Sequence, residues 1–207
     1  MALSPKIYQE LPSQTAGPYV HIGCTPQMAG LKTIYGGGHL GSKMVNEKTL
    51  GIRISISGKI FDGTGTPIKD GIIELWQADA QGLFNSLDET RGEPDQNFQG
   101  WGRQPTDILT GEFHFDTIKP GRIPYLSTNR LQAPFISIWV AARGINLGLH
   151  TRMYFPEEVE ANAEDPVLNR LEHQNRVHTL IAEPLEDGVY QFDIVLQGEN
   201  ETVFFDI

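Results

Sequence analysis

The sequence predicts a mainly-β protein: a β-sandwich over residues 50–207, a long irregular N-terminal arm over residues 1–49, and one or two short helices near residues 156–182. Three observations carry this. From Leu50 the apolar residues recur at every second position, as in a strand with one buried face. The stretch Pro134-Phe135-Ile136-Ser137-Ile138-Trp139-Val140-Ala141-Ala142-Arg143-Gly144 is the longest nearly uninterrupted apolar run, rich in β-branched and aromatic types, and reads as a strand buried on both faces. Between such runs the chain is punctuated by turn residues, with 22 Gly and 13 Pro in 207 residues.

Taken in order, residues 1–49 show little periodicity, and their glycines 36, 37 and 38 read as a flexible turn because no strand precedes them and no Lys-Ser/Thr follows. Ile52, Ile54, Ile56 and Ile60 share one strand face, with Arg53, Ser55, Ser57 and Lys59 on the other. Asp62 to Pro67 is turn chemistry and Gly71 to Ala78 resumes as a strand, so a hairpin is predicted there. Residues 79–110 read as an excursion tied down by Phe84, Phe98 and Trp101. Glu112 to Asp116 alternates again, as does Leu147 to Phe155. Pro156-Glu157-Glu158 suits a first helical turn, and a second short helix is predicted near Asn175 to Ala182. Tyr190 to Leu196 is a last long strand, and Val203-Phe204-Phe205 closes the chain.

Composition narrows the function classes. A formal net charge of −10 with no Lys/Arg cluster argues against nucleic acid. Cys24 is the only cysteine, which favours a reducing, cytoplasmic setting, and neither a leader-like segment nor an apolar run long enough to span a bilayer is predicted. Among chemistry-bearing sets, Glu112, His114 and Asp116 share a strand face, read either as a solvated outer face or as a metal set. Gly-x-Ser-x-Gly is absent, and Cys24 has no base beside it in sequence. Arg143 is the sharpest candidate, because a guanidinium at the lip of a core strand needs an anion. That anion is either a carboxylate of the chain, such as Glu74 or Asp79, or a ligand, and the residue alone leaves both open.

Five stretches in order then matter together: Thr15-Ala16-Gly17-Pro18-Tyr19, Trp76-Gln77-Ala78-Asp79-Ala80, Thr117-Ile118-Lys119-Pro120-Gly121, Ala142-Arg143-Gly144-Ile145-Asn146 and Thr202-Val203-Phe204-Phe205. With them the chain resembles the intradiol ring-cleaving dioxygenases nearly end to end, least so over residues 24–50 and 84–100. The resemblance implies O₂-dependent cleavage of a catechol ring between its hydroxyls at a non-haem Fe(III) held by two Tyr and two His. In this sequence those four places fall at Phe84, Ile123, Phe135 and Ser137. Phe and Ile offer no donor atom, and a neutral Ser hydroxyl is a poor ligand beside imidazole or phenolate.

The resemblance therefore implies no metal in this chain and the role of an iron-free alpha-type subunit. Fe(III) would be bound by a homologous iron-bearing beta chain, in alpha-beta pairs of a larger oligomer, and the isolated chain would be inactive. It further implies that the arm over residues 1–49 packs on that partner chain, that Thr15, Gly17, Pro18 and Tyr19 wall the substrate pocket and that Arg143 holds a small aromatic acid. Two other readings stand beside it: a stand-alone binding or scaffolding sandwich, and a metalloenzyme using Glu112, His114 and Asp116.

Overall fold

A computed structural model describes residues 15–31, 34–126, 128–146 and 148–206. Helix α1 (Pro18–Cys24) comes first, followed by 3₁₀ turns at Pro26–Ala29 and Ile34–Gly37. The strands are β1 (Arg53–Phe61), β2 (Ile72–Trp76), β3 (Trp101–Pro105), β4 (Glu112–Ile118), β5 (Phe135–Ala141), β6 (Leu149–Tyr154), β7 (Glu183–Glu186), β8 (Val189–Gln191) and β9 (Ile194–Val195). Between β6 and β7 lie helix α2 (Val159–Glu164) and 3₁₀ turns at Leu168–Arg170 and Gln174–Leu180.

Two sheets face each other. One has the order β4-β1-β8-β7, with β9 continuing alongside β1; the other is the antiparallel set β3-β2-β5-β6. The alternation in β1 buries Ile54, Ile56 and Ile60, whereas Ile52 lies before the strand and is exposed. Against them, Phe113, Phe115 and Ile118 of β4 meet Ile73, Leu75, Ile136, Ile138, Val140 and Met153 of the other sheet in one core. A second cluster, with Phe135, Tyr154, Ala161, Leu168 and Leu180, packs the helical segment against the outer side of β5 and β6.

The sandwich is as predicted, but several elements differ. The hairpin is not formed by β1 and β2. Asp62 does make the tight turn, its carboxylate accepting the N–H groups of Thr64 (2.8 Å) and Thr66 (2.9 Å), but β2 then crosses to the other sheet. Two strands that each carry one apolar face can bury those faces on each other only from facing sheets. The excursion 79–110 contains edge strand β3, whose Trp, Gly, Arg, Gln and Pro carry no apolar alternation. Edge strand β7, exposed throughout, was likewise not predicted. The last long strand is split: Asp193 Oδ1 accepts the Lys59 N–H at 2.9 Å in place of a ladder bond. Gly58 is required beside this break, since a Cβ there would lie 2.0 Å from the Phe192 carbonyl oxygen.

Strand β5 is buried fully on one face only. Ile136, Ile138 and Val140 point into the core, while Ser137 and Trp139 are half-exposed on the outer face. The first helix after β6 begins at Val159 rather than Pro156, and the second is a 3₁₀ turn. The arm is not irregular throughout, because α1 forms with Pro18 in its first turn and no buried residue. Residues 1–14 lie outside the described residues. Residues 39–49 lie on this chain's own sandwich: His39 Nε2 bonds the Arg103 carbonyl at 2.8 Å, the Arg103 N–H donates to the Gly41 carbonyl at 2.8 Å, and Met44 enters the core. Among the described residues no helix is long and apolar enough to cross a membrane.

Glu157 and Glu158 spend their charge on a clamp rather than on a helix N-terminus. Lys119 Nζ donates to Glu157 Oε1 at 2.8 Å and pairs with Glu158 Oε1 at 2.5 Å, while the Tyr190 hydroxyl donates to Glu157 at 2.6 Å. Burial works against the charge on both Lys119 and Glu157, but their mutual bonds outweigh it. Lys119 is held above its ordinary value of 10.5 and Glu157 below its ordinary 4.5. A depressed carboxyl stabilises the fold above its unfolded pKa and loses that contribution as pH falls through the folded one. The raised Lys contributes below 10.5 and loses its share above. The stability advantage of the natural protein over Lys119→Met should therefore be greatest between these limits and shrink as pH drops below 4.5. Urea midpoints measured across pH check this, and an advantage that stays constant to pH about 3 contradicts it.

Candidate functional site

Arg143 sits in the turn after β5, and its side chain is 78% exposed. It is thus not a buried cation. Its partner is neither Glu74 nor Asp79, but Asp70, with Nε 3.0 Å from Oδ2. Glu74 is already taken by Arg103, at 2.7 Å from Nε and 2.6 Å from Nη2, and it accepts the Trp101 indole N–H at 3.2 Å. Asp79 is buried and serves the backbone: Oδ1 accepts the N–H groups of Gln81 and Leu83 at 2.9 Å, and Oδ2 accepts that of Asp95 at 2.9 Å.

The arm reaches the same turn. Thr15 Oγ1 accepts the Gly144 N–H at 2.8 Å. Gly17 caps α1 in extended backbone, Pro18 opens it, and Tyr19 on its first turn is 87% exposed. The helix is tied down through His21, whose Nε2 donates to the Asp70 carbonyl at 2.8 Å. An acceptor carbonyl requires a proton on Nε2, and Nδ1 lies 3.5 Å from the Gly17 carbonyl. Thr15, Gly17, Pro18, Tyr19 and Arg143 are therefore grouped about one edge of the molecule, with Asp70 between them.

The four places where the resemblance puts iron ligands lie at the other end of β5 and beside it. Phe84 stacks on Trp76, with ring centroids 5.7 Å apart and planes 5° apart. Phe84 and Ile123 line an open cleft of about 380 Å³ with Trp76, Glu89 and Pro124. Glu89 shapes this cleft by accepting the Phe84 N–H at 2.9 Å; its pairing with Arg91 is the main reason its carboxyl lies down at about 2. Trp76 pairs across the sheet with Ser137. Phe135 lies two residues back on the same face, with the Arg152 guanidinium 4.0 Å from its ring centroid and the Tyr154 ring at 5.8 Å. These four side chains present one oxygen, that of Ser137. They do not fit an iron ion bound as two Tyr and two His would bind it.

Glu112, His114 and Asp116 project from the outer face of β4, where His114 Nε2 is 3.1 Å from Asp116 Oδ1 and Asp116 accepts the Ser55 hydroxyl at 2.8 Å. Among the described residues, no group of three or more His, Cys, Asp or Glu side chains is placed to hold a metal ion.

A family profile described as "Dioxygenase" matches residues 38–198. The protocatechuate 3,4-dioxygenase alpha chain of Pseudomonas putida is 42% identical over 204 residues, covering 97% of this chain and 98% of that one. The chain belongs to the intradiol dioxygenase family. The beta chain of the Burkholderia cepacia protocatechuate 3,4-dioxygenase is 33% identical over 165 residues, covering 76% of this chain and 69% of that one. Among solved structures, catechol 1,2-dioxygenase from Pseudomonas arvilla C-1 matches with a TM-score of 0.53 and 21% identity, covering 76% of this chain and 56% of that one, which bears on the fold alone.

Sequence reasoning missed two features of this intradiol dioxygenase chain. Asp70 carries no motif and lies far from Arg143 in sequence. The outer face of the four-stranded sheet also gathers all three tryptophans of the chain, Trp76, Trp101 and Trp139, around a cleft of about 540 Å³ with Glu74, Ser137 and His150. Trp139 lies so close over Gly148 that a Cβ there would meet its indole nitrogen at 1.8 Å. The outward register of these tryptophans could be read only once the strand pairing was known.

Proposed function

We propose that the chain is the iron-free alpha-type subunit of a protocatechuate 3,4-dioxygenase, and that it completes a substrate pocket whose Fe(III) is held by a homologous beta chain. The reading rests chiefly on the separation of two features along β5. Phe135 and Ser137 stand at its start, Arg143 just beyond its end, and seven residues at ~3.3 Å each span roughly 20 Å. A contact near Arg143 at that distance does not serve the places of Phe84, Ile123, Phe135 and Ser137 on this chain. An exposed guanidinium, an exposed Tyr19 and the Gly17-Pro18 backbone, held together at one edge, suit a pocket lying on another chain.

In the assembled enzyme Arg143 would bind the substrate carboxylate through its planar donor fork. Tyr19 would offer a flat apolar face with one hydroxyl, and Gly17-Pro18 a stiff backbone wall. Thr15 would hold the arm to the Arg143 turn. The reaction would cleave the bond between the two hydroxyl-bearing carbons of 3,4-dihydroxybenzoate, both atoms of O₂ entering the product 3-carboxy-cis,cis-muconate. The metal would supply activation of the catechol toward O₂; positioning and charge recognition are this chain's share.

Co-expression with the homologous chain, followed by mass determination of the complex and metal analysis of each species, tests this. The expected result is a hetero-oligomer with iron, and an isolated chain with far less than one iron per molecule and no activity. Stoichiometric iron in the isolated chain would refute the assignment. A stable, partnerless chain that ignores the beta chain would point instead to a stand-alone binding sandwich.

A further inference from the structure

Asp70 makes two of the three contacts that fasten the proposed substrate wall together. Its carboxylate holds Arg143 by Nε at 3.0 Å, and its backbone carbonyl receives the His21 Nε2–H at 2.8 Å, which anchors the helix bearing Pro18 and Tyr19. The third contact, Gly144 N–H to Thr15 Oγ1, closes the ring between arm and turn. The segment carrying Asp70 is itself pinned from two sides. The Ile68 N–H donates to the Ile60 carbonyl at 2.8 Å, and Gly71 exchanges bonds with buried Thr106, whose Oγ1 accepts the Gly71 N–H at 2.9 Å.

We propose that Asp70 is a positioning residue that presets Arg143 for the substrate carboxylate and couples it to the arm; the proposal rests on the substrate role given to Arg143 above. The geometry is specific. The closest approach of Asp70 to Arg143 is at Nε, 3.0 Å from Oδ2, rather than at either of the two terminal guanidinium nitrogens. Those two nitrogens carry four N–H donors and can take a carboxylate end-on in a bidentate pair. An ion pair this exposed does little for folding. Its effect falls on the orientation of a long side chain that would otherwise sample many rotamers, and freezing it before substrate arrives removes that cost from binding.

The test compares kinetics of the assembled enzyme toward 3,4-dihydroxybenzoate and toward catechol, which lacks the carboxylate. D70N keeps the shape of the side chain and the backbone carbonyl that holds His21. It should raise KM for 3,4-dihydroxybenzoate roughly five- to tenfold, leave kcat nearly unchanged and leave catechol turnover unaffected. In an R143A background D70N should add nothing further, since the residue acts through Arg143. If D70N leaves KM unchanged or lowers it while R143A is impaired, Asp70 is a bystander or a competitor for Arg143, and the positioning role fails while the substrate role of Arg143 stands. Equal losses with both substrates would mark a merely structural residue and equally overturn the proposal. If R143A itself behaves as the natural enzyme toward 3,4-dihydroxybenzoate, the underlying reading falls, and this proposal with it.

Discussion

Replacing Arg143 by alanine in the assembled enzyme is expected to lower kcat/KM for 3,4-dihydroxybenzoate by about 10- to 150-fold, with iron content unchanged. The magnitude follows from one charge-assisted contact, about 1.5–3 kcal/mol, at ~1.36 kcal/mol per factor of ten. The loss should appear with carboxylated catechols and be small with catechol itself, because only the former carries the anion. Arg143→Lys should recover a minor part, since an ammonium supplies charge without the planar fork. Equal kcat/KM in the natural and Arg143→Ala enzymes, measured at matched ionic strength, would leave only the surface pair with Asp70 for this side chain. Stability should scarcely change in either variant, because the side chain is 78% exposed.

The largest expected effect on folding comes from Asp79, which sequence reasoning offered as a counterion for Arg143. Its carboxylate is buried and accepts three backbone N–H groups, from Gln81, Leu83 and Asp95. Asp79→Ala leaves those donors without their acceptor in the loop that presents Phe84. The expected cost is about 3–5 kcal/mol, which for a chain of this size lowers Tm by roughly 6–20 °C. Calorimetry of the natural and variant proteins at one pH checks it. A shift under about 2 °C would show that water or a relaxed loop replaces the carboxylate at little cost.

How much of this was legible beforehand differs by level. The alternation of Ile54, Ile56 and Ile60, and of Phe113 and Phe115, was visible because a strand imposes period two on its own residues. Strand β3 was not, because an edge strand built of Trp, Gly, Arg, Gln and Pro is held by its pairing to β2 and carries no apolar pattern of its own. The split between β8 and β9 depends on Asp193 meeting the Lys59 backbone, a contact no local window contains. Likewise Glu157 and Glu158 suited a helix start in sequence, yet Lys119 on another segment claimed both.

By itself, then, the sequence determined the two-sheet class, the apolar strands and the absence of donor atoms at Phe84, Ile123 and Phe135, because burial period and ligand chemistry belong to the residues themselves. Only the tertiary structure decided that β1 and β2 face each other from separate sheets, that Arg143 is exposed and paired with Asp70, and that Thr15 and His21 bring the arm to the same edge. Sheet partners are chosen by which apolar faces can cover one another, and counterions by which charges the finished chain leaves adjacent. Both are long-range outcomes of packing, and neither leaves a mark on the spacing of neighbouring residues.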